Sequence, residues 1–230
     1  MVQKHIVGLA FIASLAWGSY SQGAVSSLDA NISDRILEAI RQSPVHNNIA
    51  TTVFWVGERA KPNSGWSDNL DSAWDMRWKE NFGGLDSPVY RDGYFPAKFH
   101  PKQNPFYVAL PFNDISNPGY LSTCPLLKYF KFKRASKKSV CKNRWIEIVS
   151  EGKACYAQWQ DVGPIFTNDY DYAFRGEKPK AHSQDMAGLD VSPAIRDFLQ
   201  LRKGNGRTNW RFVDDSEVPS GPWTEIITKS

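Results

Sequence analysis

Tyr156-Ala157-Gln158-Trp159-Gln160-Asp161-Val162-Gly163-Pro164 is the stretch whose reading decides the fold. Its aromatic and aliphatic residues favour a strand, and Gly163-Pro164 must end it, because proline has no N–H to give to a ladder. Upstream, Arg144 to Val149 is a second run of the same kind. Ser150-Glu151-Gly152-Lys153 lies between the two and carries turn chemistry, so the spacing predicts a β-hairpin. In the second strand, Ala154 to Val162, straight alternation sets Cys155, Ala157, Trp159 and Asp161 on one face. The same register sets Cys155 opposite Ile148.

Working outward, Gly188 to Val191 reads as a short strand, with Asp190 pointing away from its apolar neighbours Leu189 and Val191. Ser192-Pro193 follows as a helix N-cap with proline in the first helical position. Ile195, Phe198, Leu199 and Arg202 then recur at helical spacing until Gly204. Trp210 to Val213 is a last strand, Phe106 to Leu110 an earlier one, and Thr51 to Val56 the first. Two further helices are expected. Leu28 to Gln42 has Leu28, Ile32, Ile36 and Ile40 in step, and Leu70 to Phe82 has Leu70, Trp74 and Trp78 on one face. The second is read as a core stripe. Strands separated by irregular loops of varied length imply a mainly β chain closed into a small barrel.

The chain has 230 residues. Lys4 and His5 precede an apolar run from Ile6 to Trp17, and small residues lead to a cut after Ala24. That run is too short for a hydrocarbon core of ~30 Å, so residues 1–24 are read as an export signal. No cysteine lies near the cut, which argues against a lipid anchor. Removing Lys4 leaves 27 basic against 24 acidic residues, a net +3 that gives no ground for nucleic-acid binding. Residues 25–48 are then an N-terminal helical segment. Residues 49–230 are the barrel domain, with an insertion at about 63–127. Leu127 to Arg144 holds eight lysines and arginines with no acid among them. It reads as a solvated loop, or as a patch for an anionic polymer. Of the three cysteines, Cys124 and Cys141 are the expected pair, since the hairpin register makes a Cys141–Cys155 bridge awkward. Closing that loop would contribute about 3 kcal/mol, and Cys155 is left as a buried thiol.

The sequence has neither a phosphate-binding glycine loop nor a nucleophile elbow, and its four histidines are scattered. No metal, cofactor, nucleic acid or membrane anchor is expected, and the protein is expected to be a monomer. Carboxylates at strand ends, Asp161 and Asp190, are the leading candidates for chemistry. Their competing reading is a solvent-facing or helix-capping role.

Tyr156 to Pro164, followed by Gly188-Leu189-Asp190-Val191-Ser192-Pro193-Ala194, resembles the double-psi β-barrel superfamily of expansins, rare lipoprotein A proteins and family 45 endoglucanases. Thr51-Thr52-Val53-Phe54-Trp55 resembles the first barrel strand of that group, and the pieces occur in its order. The resemblance implies a six-stranded double-psi barrel with short helices and long loops. It further implies a protein exported to the periplasm or secreted, whose partner is a cell-wall polysaccharide, either peptidoglycan or a plant-type glycan. Asp190 would match the essential acid and Asp161 the polar Asp of the central strand. Thr52, Trp55, Trp159 and Asp114 would hold the glycan. Val56 stands where the endoglucanases place a catalytic base, so two-carboxylate hydrolysis lacks a partner unless Asp161, Asp114 or Asp185 substitutes. One acid suffices for expansin-like binding and loosening, or for lytic transglycosylation of peptidoglycan, where the sugar's own C6 hydroxyl attacks. A protein-binding barrel with no glycan role is the remaining class.

Overall fold

A computed structural model describes residues 38, 42–62, 67–122, 138–180, 187–201 and 206–229. Among the described residues eight strands form: β1 (His46–Val53), β2 (Arg91–Asp92), β3 (Phe95–Pro96), β4 (Tyr107–Leu110), β5 (Trp145–Ser150), β6 (Lys153–Val162), β7 (Leu189–Val191) and β8 (Gly206–Val213). Six of them close a barrel in the order β1-β7-β4-β6-β5-β8, and β2 and β3 pair apart from it. The barrel is mixed. β1 runs parallel to β7 and β4 parallel to β6, while the other neighbours are antiparallel.

The hairpin forms in the expected register, with Ile148 opposite Cys155 and Ser150 opposite Lys153. Glu151 and Gly152 at its tip both have positive φ (49° and 79°), which suits glycine at the second position. β1 begins at His46, earlier than the sequence suggests, and ends at Val53. β7 leads into the helix Pro193–Leu199 through Ser192, whose side chain accepts a bond from the Ile195 N–H.

The expected helix over Leu70–Phe82 shrinks to one turn, α1 (Trp78–Phe82). Short polar side chains offer the preceding backbone other partners. Ser72 Oγ accepts from the Trp74 N–H at 3.3 Å and Asp75 Oδ1 from the Arg77 N–H at 3.1 Å. Trp74 and Trp78 therefore do not share a stripe. Trp74 meets Trp159 edge-on, while Trp78 packs with Phe54 and Tyr107 in another cluster. Two further helices follow, α2 (Tyr170–Arg175) and α3 (Pro193–Leu199).

The core has two parts. Inside the barrel, alternate residues of each strand converge, among them Val108, Leu110, Ile146, Ile148, Ala157, Trp159, Leu189, Val191, Trp210 and Phe212. On the outer face of β4, Tyr107 and Ala109 are covered by Phe54, Val56, Trp78 and Phe82. Trp78 and Phe82, from the stretch before β4, thus form a lid over that face together with Phe54 and Val56, which follow β1. The lid is fastened at Asp86, which accepts from the Tyr107 hydroxyl (2.8 Å) and pairs with Arg91 (2.5 Å). Burial pushes the Asp86 carboxyl up, and the Arg91 guanidinium opposes that shift.

Glu38 and Gln42 share a backbone bond of helical span, 3.0 Å. The rest of the expected Leu28–Gln42 helix, the export signal and Asp185 lie outside the described residues. So do Cys124, and with it the expected Cys124–Cys141 bridge, and the basic segment up to residue 137. Cys155 is a buried free thiol. No helix among the described residues is long and apolar enough to cross a membrane.

Candidate active site

Four outward-facing positions lie in one row across neighbouring strands. Thr52 on β1 pairs with Asp190 on β7, Asp190 pairs with Ala109 on β4, and Ala109 pairs with Asp161 on β6. The two aspartates flank one alanine, so their backbones are separated by roughly two strand spacings, about 10 Å. Asp190 reaches this face because Leu189 and Val191 take the interior positions.

Asp161 reaches the face by a different device. Val108 pairs with Trp159, but the next residue, Ala109, pairs with Asp161, so Gln160 is a bulge. The extra residue resets alternation. Trp159 points into the barrel and Asp161 stands outside with Ala109, not on one face as a straight strand would have it. Gln160 is itself buried, and its amide donates to Asn143 Oδ1 at 2.8 Å.

Thr52 Oγ1 donates to Asp190 Oδ1. Asp161 Oδ1 accepts from the N–H groups of Ala73 and Val162, both at 2.8 Å. Both aspartates are almost completely buried. Burial pushes Asp190 up to about 6, opposed by the Thr52 bond. It pushes Asp161 up to about 7, opposed by its two backbone donors, and the charge on Asp190 adds to the rise. Burial thus raises each carboxyl toward neutral pH on its own account, with the charge on Asp190 a small addition at Asp161. Gly163 lies beside the row: a Cβ there would make ordinary contact with Asp190 Oδ2 at 3.7 Å and the Ala109 methyl at 3.8 Å.

Sequence reasoning missed a third carboxylate. Glu58 is half-buried and takes a bond from the Asn69 amide at 3.0 Å. Burial raises its pKa, and the charge on Asp190 raises it further. The signal was Gly57, whose φ of 84° turns the chain back after the strand. The Phe54 N–H bond to the Val191 carbonyl (3.2 Å) holds that turn beside β7. Among the described residues no three His, Cys, Asp or Glu side chains form a metal-holding group.

The remaining expected site residues are not members of the row. Trp159 has no exposed surface, so its ring cannot stack on a ligand; its indole N–H bonds the Asp161 carbonyl (2.7 Å) and steadies the bulge. Asp114 is buried, with one oxygen accepting from Ser139 Oγ and the other from the Val140 N–H, both at 2.7 Å. It fastens a loop, and its burial keeps it off the surface. Trp55 is half-buried in the turn that carries Glu58. The capping alternative for Asp190 does not hold, since Ser192 caps the helix.

No family model matches the sequence, and no curated protein matches it. Among solved structures the chain is similar to the Streptomyces papain inhibitor (SPI). That likeness covers 74% of this chain and 96% of the inhibitor, with a TM-score of 0.31 and 13% identity, and is too distant to carry an argument about function.

Proposed function

We propose that this protein is an exported barrel of the double-psi kind that binds and remodels cell-wall polysaccharide, with Asp190 as its functional carboxyl. The observation that carries the reading is the Thr52–Asp190 hydrogen bond in a row that ends at Asp161. The threonine and both aspartates that the family resemblance singles out, scattered over more than a hundred residues, meet on one face. The two parallel pairings, β1 with β7 and β4 with β6, support the double-psi reading of the barrel.

A second reading is lytic transglycosylation, favoured by the burial of both carboxyls, which raises Asp190 to about 6 and Asp161 to about 7 and so keeps a proton within reach near neutral pH. The protonated carboxyl gives its proton to the glycosidic oxygen as the bond from C1 breaks. The sugar's C6 hydroxyl then attacks C1 and returns its own proton to the carboxylate, so no water is consumed. Glu58 bears on hydrolysis, since a second carboxylate beside Asp190 could activate water in place of the missing base.

The products distinguish these readings. Isolated peptidoglycan and cellulose are incubated with the protein, and the soluble fraction is read by mass spectrometry. Anhydro-sugar ends select transglycosylation and reducing ends select hydrolysis. Co-sedimentation without product selects binding and loosening. Neither product nor co-sedimentation would overturn the glycan reading and leave a protein-binding barrel.

A further inference from the structure

Beyond the carboxylate row, a concavity of about 500 Å³ opens where the 3₁₀ turn Pro118–Ser122 meets α2, within the usual size of small-ligand sites. Its floor is aromatic. Tyr120 stacks on Tyr170 with ring centroids 4.5 Å apart and planes 14° from parallel. Tyr170 is buried and packs on Phe112 and Phe174, so the stack is rigid, while Tyr120 stays 38% exposed. The rim is polar and neutral in sum. Asp171 and Arg175 pair at 3.1 Å, and the guanidinium lies 5.2 Å from the Tyr170 ring centre. Asn117 donates its two amide N–H groups to the carbonyls of Asn113 and Thr167, which leaves its side-chain oxygen as an acceptor.

We infer that this concavity is a second glycan subsite, in which the apolar face of an uncharged pyranose ring packs on Tyr120 and its hydroxyls bond Asn117, Asp171 and Arg175. The choice of a glycan rests on the proposed function, and the ring floor with a charge-balanced rim supports a neutral, flat-faced ligand over an ionic one. The subsite connects to the carboxylate row through the fold. Asp161 holds the N–H of Ala73, the indole of the adjacent Trp74 donates to Asn113 Oδ1 at 3.3 Å, and the Asn113 carbonyl accepts from Asn117. A glycan strand crossing from one site to the other would meet residues already held in place by that chain of bonds.

The test is titration of the ¹⁵N-labelled protein with the tetramer of N-acetylglucosamine and with cellotetraose, for wild type, Tyr120→Ala, Tyr120→Phe and Asp190→Asn. The inference expects resonance shifts at Asn117, Tyr120, Asp171 and Arg175 with at least one probe. Affinity should fall roughly ten-fold in Tyr120→Ala and stay near wild type in Tyr120→Phe, which keeps the ring. Well-dispersed spectra of the variants show that they are folded. Shifts confined to Thr52 and Asp190 would overturn the subsite and leave the proposed function standing. Shifts nowhere would also overturn the subsite, and the wall assay would then decide the proposed function separately.

Discussion

At the scale of single residues, the carboxylate row is held against its own solvation. Asp161 and Asp190 are raised in the folded protein above the ordinary 3.8 of an aspartate, to about 7 and about 6. A raised acid binds its proton more tightly folded than unfolded, so stability is full below pH 3.8 and falls as pH rises through the folded value. Across that window the cost is on the order of 3 kcal/mol for Asp190 and about 4 kcal/mol for Asp161. Asp161→Asn should therefore stabilise the protein at pH 8 by up to about 4 kcal/mol and change little at pH 4, as read by urea unfolding at both values. An equal gain at both pH values would mean that the charge is not what the fold resists. Carbon-detected NMR of the carboxyls gives a second check. In Asp190→Asn, the titrations of Asp161 and Glu58 should both move down, because the charge that raises them is gone. Unmoved titrations would place the three groups farther apart than this account requires.

At the scale of elements, the hairpin, the short strand before Ser192 and the capped helix are legible in the sequence, because each is defined by local signals: turn residues, period-two alternation, and a serine before a proline. The cap admits a direct check. Ser192 is fully buried and accepts from the Ile195 N–H, so Ser192→Ala should cost about 1 kcal/mol in denaturant unfolding. A loss within error would deny the cap its role in holding the strand end that carries Asp190. The bulge at Gln160 was not legible. Gln158-Trp159-Gln160-Asp161 alternates as a straight strand would, and only pairing with β4, some fifty residues away in sequence, skips a residue. That single skip decides whether Asp161 faces the core or the row. The helix expected over Leu70–Phe82 failed for a related reason, since its apolar spacing was satisfied by two separate clusters. Glu58 was missed because its approach to Asp190 depends on the turn at Gly57 and on its anchor to Val191.

At the scale of the whole molecule, the barrel and its lid join two acid–base tendencies of opposite sign. His46 is buried against Trp210, stacked at 3.8 Å, and burial pushes it down to about 4, against a weaker raising bond to the Ala173 backbone. A base lowered by folding keeps its contribution above pH 6.5 and loses it as pH falls through 4. His46→Gln should remove about 3 kcal/mol of the acid-side loss between those values, seen as a flatter melting temperature against pH; an unchanged acid limb would contradict it. The lid covers the outer face of β4, Ala109 included, and the same stretch of chain supplies the Ala73 N–H to Asp161. The most direct test of the central claim is Asp190→Asn assayed on isolated cell walls beside wild type, with melting temperature measured on both. Asparagine keeps the shape of the side chain but cannot supply an acidic proton. The account predicts that wall cleavage disappears, or that wall binding weakens if the protein only binds, while the melting temperature holds or rises. An Asp190→Asn protein with full wall binding and full activity would contradict it.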